Sequence, residues 1–301
     1  MDKLVRFTKD LGASFMTLVR ILVRCKLTGN KYKIDRKEDT LLIVGNGPSM
    51  KALLEDASFR NEISHRDVLC VNHFCESDYY TEIKPRLYIH AAPEMYIKEV
   101  NKDLQQRRNK FWNTLVNDTQ WEMDFFIPHA AKKNDFWLKM VRNNPNIRIR
   151  YYNLVAQEGF PFLKHWVYNN GLGTPRIHNI IGYSLTNMIR VGYKKIYLTG
   201  VEHSWLNMIS VTEDNIALVG QPHFYNPESK PAVMYKGGTG TRKLHEILHK
   251  FYLTFLGYWE IKNYAAMKNV EIFNLTKGSF VDAFPRREVQ DYLENQQSVR
   301  S

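Results

Sequence analysis

Asp39–Met50, DTLLIVGNGPSM, is an apolar run that ends in a Gly-Asn-Gly-Pro-Ser turn and passes into a helix-compatible segment. Leu41 to Val44 has no polar interruption, as a strand buried on both faces of a parallel sheet requires. Gly45 and Gly47 let the backbone turn sharply and approach a ligand, Pro48 presets a first helical turn, and Ser49 offers a hydroxyl. Strand, turn and helix in that order predict an α/β, Rossmann-like, mainly parallel sheet flanked by helices. Backbone N–H groups at the helix start favour an anion, and the carboxyl end of a first strand is where open α/β sheets hold nucleotides. A turn that simply changes the chain's direction is the plainer alternative. The longer G-x-G-x-x-G pattern of NAD and FAD sites is absent.

The rest of the chain bounds what that unit belongs to. Its 301 residues suit one large α/β domain with additions or two small ones. A formal charge of +11, from 42 Lys and Arg against 31 Asp and Glu, favours anionic partners: nucleic acid, phosphate-bearing substrates or anionic lipid. Cys25, Cys70 and Cys75 form no C-x-x-C pair, which indicates neither a disulfide framework nor a zinc site and fits a reduced, cytoplasmic setting. No apolar run approaches the roughly 18 residues of a spanning helix.

Residues 1–34 differ in character from the remainder of the chain. Leu4, Phe7, Leu11, Phe15, Leu18, Val19 and Leu22 recur at three- and four-residue steps among Lys3, Arg6, Lys9, Arg20, Arg24 and Lys26. This predicts an amphipathic basic helix lying on an anionic membrane, at the inner face of the cytoplasmic membrane; packing on the protein's own core is the alternative. Charged residues interrupt the apolar stretch and no small-residue cleavage site comes after it, which argues against a signal peptide.

Residues 35–290 are expected to form the nucleotide-binding domain and 291–301 a polar tail. Val68–Phe74 and Arg86–Ala92 read as strands whose ends carry Asn72, His73 and His90. Glu94–Trp112 predicts a helix with a solvated Arg107, Arg108, Lys110 cluster, Phe125–His129 and Ile147–Tyr152 weaker strands, and Lys132–Asn144 a surface helix. A second block runs from Asn169 to Trp205: a glycine-bearing loop, a helix over Ile180–Val191, a strand over Ile196–Leu198, and a ligand-facing loop with Gly200, Glu202, His203 and Ser204. Val211–Gly240 lacks strong periodicity and is long enough to predict a mobile lid, over about 203–240. Helices over Thr241–Gly257 and Glu260–Lys268 and a short strand over Val270–Asn274 complete the reading.

Three motifs in this order, VGNGPS at Val44–Ser49, VLCVN ending at Asn72 and GYKKIYLTGVE at Gly192–Glu202, resemble those of the bacterial CMP-sialic-acid-dependent sialyltransferases of glycosyltransferase family 42. The resemblance spans roughly Thr40 to Pro285. It extends to a related group containing 6-hydroxymethylpterin pyrophosphokinase-like proteins, which shares the G-N-G-P-S turn. It implies CMP-donor contacts from Asn46 and Asn72, and places Arg176–Asn179 against the donor with His178 and Asn179 where the family carries hydroxyl residues. The family's lid histidine corresponds to His223. Ala92 stands where the family has an Asn before Pro93, and Glu202-His203-Ser204-Trp205 where it has aromatic hydroxyls. The implied donor is thus a CMP-linked sialic-acid-like or Kdo-like sugar, and the implied acceptor a surface glycan or glycolipid.

Such a transfer passes through an oxocarbenium-like centre and needs a base on the acceptor hydroxyl and stabilisation of the departing phosphate. No Asp-x-Asp pair occurs in the chain, so no metal or other cofactor is expected, and the departing phosphate falls to Tyr225, His203, Lys236 or Arg242. His223 is the expected base, since a histidine accepts a proton near neutral pH. His245 and His249 sit four apart on a helix with no third metal ligand evident. A pyrophosphokinase would need Mg2+ on carboxylates, for which Asp67, Asp78 and Glu94 are the nearby candidates. Non-catalytic binding of anionic polymers ranks last, and nucleic acid is not expected, because the basic residues are dispersed and no recognition motif occurs.

Overall fold

The computed structural model describes residues 2–27, 32–225, 230–235 and 240–294. Six parallel strands come in succession: β1 (Thr40–Val44), β2 (Val68–Val71), β3 (Leu87–Ile89), β4 (Met123–Pro128), β5 (Ile147–Tyr152) and β6 (Lys195–Thr199). A small antiparallel sheet comes next, β7 (Ile209–Val211), β8 (Ala217–Val219) and β9 (Ala232–Val233), before β10 (Glu271–Asn274) returns to the main sheet. The main order is β10-β6-β1-β2-β3-β4-β5, every pair parallel. This is the Rossmann-like α/β sheet expected from Asp39–Met50. Its strand order reverses between β1 and β6, and the crevice at such a reversal is where open α/β sheets take ligands.

Alternation within the strands divides the core. Leu41 and Ile43 pack on one face, beneath helices Ile180–Val191 and Leu244–Met267, while Leu42 and Val44 pack on the other, beneath Met50–Glu55, Ala57–Ser64 and Lys102–Asp118. Helices on both faces explain why β1 reads as an unbroken apolar run.

Several elements differ from the expectations, each for a local reason. The helix expected at Glu94 starts at Lys102, because Pro93–Met95 forms a 3-10 turn and the Asn101 carboxamide caps Lys102–Asp118 by accepting the Leu104 N–H at 2.9 Å. Arg108 is not solvated: it is buried, donates to the Ile97 carbonyl at 2.7 Å and lies over the Phe136 ring. The surface helix of Lys132–Asn144 shortens to Phe136–Val141, and its Trp137 is fully buried. The two helices expected after Thr241 are one, Leu244–Met267; Gly257 breaks nothing and marks the close approach of Ile177, which a β-carbon there would meet at 2.9 Å. Helix Pro161–Asn169 carries no strong signal in the sequence. The polar tail begins later than expected, since Tyr292 in Val289–Glu294 is buried against Tyr197, with Arg66 over its ring; residues 295–301 lie outside the described residues.

The segment read as a lid contains β7, β8 and β9. Ala217 and Val219 pack on Ile247 and Phe251 of the long helix, so among the described residues this segment is a small sheet anchored on that helix. Residues 226–229 and 236–239, with Lys236, lie outside the described residues.

Helix Asp2–Arg24 docks through Ser14, Thr17 and Ile21, with Ile21 joining the main core, rather than through the apolar stripe read from the sequence. Thr17 donates to the Glu158 carbonyl at 2.8 Å, Ser14 accepts the Phe160 N–H at 2.9 Å, and Arg20 pairs with Glu158 at 3.2 Å.

Candidate active site at the strand-order reversal

The loops leaving β1 and β6 are locked together. Gly45 donates to the Thr199 carbonyl at 2.8 Å, Gly47 to the Gly200 carbonyl at 2.9 Å, and the Ser49 N–H to the Glu202 carboxylate at 2.7 Å. A β-carbon at Gly45 would lie 2.3 Å from the Gly200 oxygen, so the glycine is there for close backbone approach. This corrects one expectation: the loop's N–H groups face the partner loop, and the anion at the start of helix Met50–Glu55 is Glu202 of the protein itself. The β6 loop is braced from behind, since Val201 donates to Thr276 Oγ1 at 3.1 Å and Phe280 to the Glu202 carbonyl at 2.8 Å.

Above the locked loops lies a cleft of about 320 Å³. It is lined by Gly45, Asn46, Gly47, Pro48 and Asn72 from the loops after β1 and β2, by Gly200, Glu202, His203 and Ser204 from the loop after β6, by Asn179, and by His223 from the segment after β8. Four of the expected residues stand off the wall. Ser49 is tucked behind the loop with its hydroxyl buried and unpartnered. His73 turns to Glu76, its Nδ1 2.5 Å from the carboxylate. Tyr225 stacks on the His223 ring at 5.2 Å. Arg176 pairs with Glu158 at 3.2 Å and faces a neighbouring cavity.

Two wall residues hold left-handed backbone, Asn72 at φ 51° and His203 at φ 53°, a conformation non-glycine residues seldom adopt and one that clusters at functional sites. Asn72 is held there by its N–H on the Ile89 carbonyl and by the Tyr88 hydroxyl, which donates to its carbonyl at 2.6 Å. Asn46 donates through Nδ2 to the Val71 carbonyl at 3.2 Å, which leaves its Oδ1 buried without a donor. Glu202 spends one oxygen on Ser49, and its Oε2 is likewise unpartnered. A buried acceptor without a donor costs free energy unless a ligand supplies one.

His203 belongs to a relay. Its Nε2 lies 2.6 Å from the Tyr258 hydroxyl, which donates to Asn179 Oδ1 at 3.1 Å, and that same oxygen caps helix Ile180–Val191 through the Ile181 N–H. An amide oxygen only accepts, so the Tyr258 proton points to Asn179 and Nε2 carries the ring proton, leaving Nδ1 as the ring's acceptor. Burial depresses the His203 pKa to about 3, so the ring is neutral and weakly basic. His223 is also pushed down by burial, an effect opposed by its hydrogen bond to the Asn46 backbone, so it too is neutral at pH 7. The Tyr225 phenol is pushed up to about 12, first by burial and then by the Glu76 charge, and remains protonated.

The far side carries residues that the sequence alone does not mark. Lys250, Phe251 and Thr254 come from the long helix, Gln221 and Trp205 from the segment after β6. Lys250 is half-buried, and burial together with the nearby Arg242 lowers its pKa. Nothing in HEILHKFY singles out Lys250, because the helix's own period does not reveal which of its polar positions lines the cleft. Glu202 is the one carboxylate on the cleft wall among the described residues. Of the carboxylates considered for Mg2+, Asp67 precedes β2 at the opposite end of the sheet, where it accepts from Arg86 at 2.7 Å and Tyr193 at 2.9 Å.

No family model matches the chain, and no curated protein does. Among solved structures it is similar to the MAf glycosyltransferase from Magnetospirillum magneticum AMB-1, at 10% identity and a TM-score of 0.48 over 96% of this chain. The chain spans 41% of that protein's length. Similarity of that degree concerns topology, and the motif resemblance to family 42 has no family match beside it.

Proposed function

We propose that this chain is a glycosyltransferase that binds a CMP-linked 2-keto acid sugar, sialic-acid-like or Kdo-like, in the β1/β6 cleft and passes it to a glycan or glycolipid acceptor without a metal ion. The observation that carries this reading is the pair of buried, donorless oxygens, Asn46 Oδ1 and Glu202 Oε2, of two residues that line the cleft at the strand-order reversal. They suit the ribose hydroxyls and base amino group of a nucleotide. Lys250 and His178 on the far wall supply positive or donor character for the nucleotide phosphate. With Glu202 the single carboxylate lining the cleft among the described residues, charge on the leaving phosphate falls to these side chains.

In the transfer, His223 accepts the proton of the acceptor hydroxyl as the oxygen bonds to the anomeric carbon. The bond from that carbon to the phosphate breaks, and its electron pair leaves on the CMP oxygen. His203 has its Nε2 committed to Tyr258 and a pKa near 3, which favours His223 as the base. Thermal-shift ranking of CMP, CDP, UDP, GDP and ATP tests the donor, because a ligand bound only by the folded state raises apparent stability. CMP should give the largest shift and EDTA should not change turnover. Preference for UDP or ATP, or activity lost to EDTA and restored by Mg2+, overturns the reading.

The membrane role is part of the same proposal. Docked in this way, helix Asp2–Arg24 leaves Leu4, Phe7, Leu11, Phe15, Leu18 and Leu22 exposed. That surface continues onto a second element: Phe7 lies 5.5 Å from Phe160, Phe160 stacks on Phe162, and Phe162 and Trp166 are exposed. Lys3, Arg6, Lys9 and Arg24 accompany it. No helix among the described residues is long and apolar enough to cross a membrane. An apolar face of two elements whose charge is mostly basic, apart from Asp2 and Asp10, suits an anionic bilayer surface.

A further inference from the structure

Next to the cleft a second cavity, of about 350 Å³, opens between the loop before helix Ile180–Val191 and the first turns of Leu244–Met267. Its wall carries Arg176, His178, Arg242, His245, His249 and Lys250, against one acidic residue, Glu246. The Glu246 carboxylate accepts the Lys243 N–H at 2.9 Å and so is engaged in capping its own helix. Arg242 has a buried Nε with no acceptor, and among the described residues no carboxylate pairs with its guanidinium. The basic groups act on one another: His178 is held in its neutral form by burial and then by the charges of Lys250, Arg176 and Arg242. Arg242 and Lys250 set beside a hollow, with no carboxylate on the Arg242 guanidinium among the described residues, favour an anion there.

His178 and Lys250 belong to both cavities, so a group held here lies beside the donor's leaving phosphate while resting on its own set of residues. We propose that this cavity binds a phosphoryl group carried by the acceptor, so that the acceptor is a phosphorylated sugar rather than a neutral glycan. This rests on the glycosyltransferase reading for the word acceptor, and on the cavity alone for the phosphoryl group. Arg242 supplies a fork of N–H donors matched to phosphate oxygens, with Lys250 on the same wall and Arg176, already paired with Glu158, beside it. Through Arg176, Glu158 and Arg20 the cavity is linked to the N-terminal helix, with both ion pairs at 3.2 Å. The phosphoryl group therefore has two sources to separate, a soluble sugar phosphate and a lipid-linked one.

The test is calorimetric titration of CMP-saturated protein with N-acetylglucosamine 1-phosphate and with neutral N-acetylglucosamine. Vesicles of phosphatidylcholine with and without a polyprenyl phosphate form a sedimentation arm. The sugar phosphate should bind and the neutral sugar should not. Arg242→Gln should weaken the sugar phosphate on the order of tenfold or more, Arg242→Lys should recover part of the loss, and CMP affinity should change less than about twofold in both. Loss of polyprenyl-phosphate-dependent sedimentation in Arg242→Gln, with plain vesicles unaffected, assigns the lipid source. Equal affinity of Arg242→Gln and wild type for the sugar phosphate overturns the proposal. So does displacement of the sugar phosphate by CMP, or a selective loss of CDP over CMP affinity in Arg242→Gln, each of which makes the cavity part of the donor site. Should Arg242→Gln not fold, His249→Glu on the exposed helix face carries the same test and should abolish binding. If CMP fails to bind while the sugar phosphate binds in an Arg242-dependent way, the anion site stands and the donor reading falls.

Discussion

Replacing Gly45 by Ala tests the lock between β1 and β6 with one methyl group. The new β-carbon would sit 2.3 Å from the Gly200 carbonyl oxygen and 2.9 Å from its carbon. Neither is a side-chain end that can swing away, and both loops are fixed by the Gly45-to-Thr199 and Gly47-to-Gly200 hydrogen bonds. Relief therefore requires the two loops to part, and overpacking of this kind costs about 3 kcal/mol. In a chain of 301 residues that lowers the melting temperature by roughly 5 °C. Gly12→Ala is the matched control: it lies within helix Asp2–Arg24 with nothing within 4 Å of the added carbon. There the same methyl removes unfolded-chain freedom and should stabilise by about 0.5–1 kcal/mol. Thermal and urea unfolding of both variants, with CMP titrated into each, reads the contrast. A Gly45→Ala protein that melts within about a degree of wild type would refute the locked geometry, since an overpacked backbone contact cannot be that cheap.

The buried histidines, the base and the apolar face each carry a further expectation. His90 and His203 have pKa values lowered to about 3 and His129 to about 4, in each case first by burial. The unfolded chain, with histidines near 6.5, binds more protons below that pH, so stability falls on acidification from about pH 6 to 4, each histidine adding up to about 1.4 kcal/mol per pH unit. Both His90 nitrogens lack partners, so His90→Leu breaks no hydrogen bond and should flatten that slope; urea midpoints across pH 4–7 that keep the wild-type slope would count against it. His223→Ala should lower turnover by roughly 10²-fold while leaving CMP affinity nearly intact. If His203→Ala is the variant that loses turnover instead, the base moves to His203. Pelleting with phosphatidylglycerol vesicles should drop when Phe162 and Trp166 are replaced by Ser, and should weaken as salt rises, since each Lys or Arg near an anionic surface contributes about 1 kcal/mol. Unchanged pelleting would remove these aromatics from the membrane face.

How much of this is legible in the sequence depends on whether the signal is local. The β1 run, the glycine turn and the second strand–loop unit ending at Glu202 are local, and they locate both loops of the cleft. Helix starts that depend on a single capping residue, such as Asn101, fall several residues from where the pattern puts them. Gly257 reads as a break because a glycine chosen for close packing on Ile177 is indistinguishable in one dimension from one that ends a helix. Arg108 and Trp137 read as surface because their partners, Phe136 with the Ile97 carbonyl and the buried core, come from other elements. Lys250 lines both cavities because helix Leu244–Met267 packs on Ile180–Val191, a relation no period encodes, and Arg242 lies just before that helix begins. The anion expected at the first helix start is Glu202, since the chain's second block supplies the charge that a ligand was expected to bring.

On the proposed reading the nucleotide lies at the reversal of strand order. A crystal structure of the protein grown with CMP tests it directly. The nucleotide should lie between the Gly45–Pro48 and Gly200–Ser204 loops, with Glu202 Oε2 and Asn46 Oδ1 each gaining a ligand donor within hydrogen-bond distance. CMP bound elsewhere, or a cleft in which both oxygens remain unpartnered with the nucleotide in place, would contradict it.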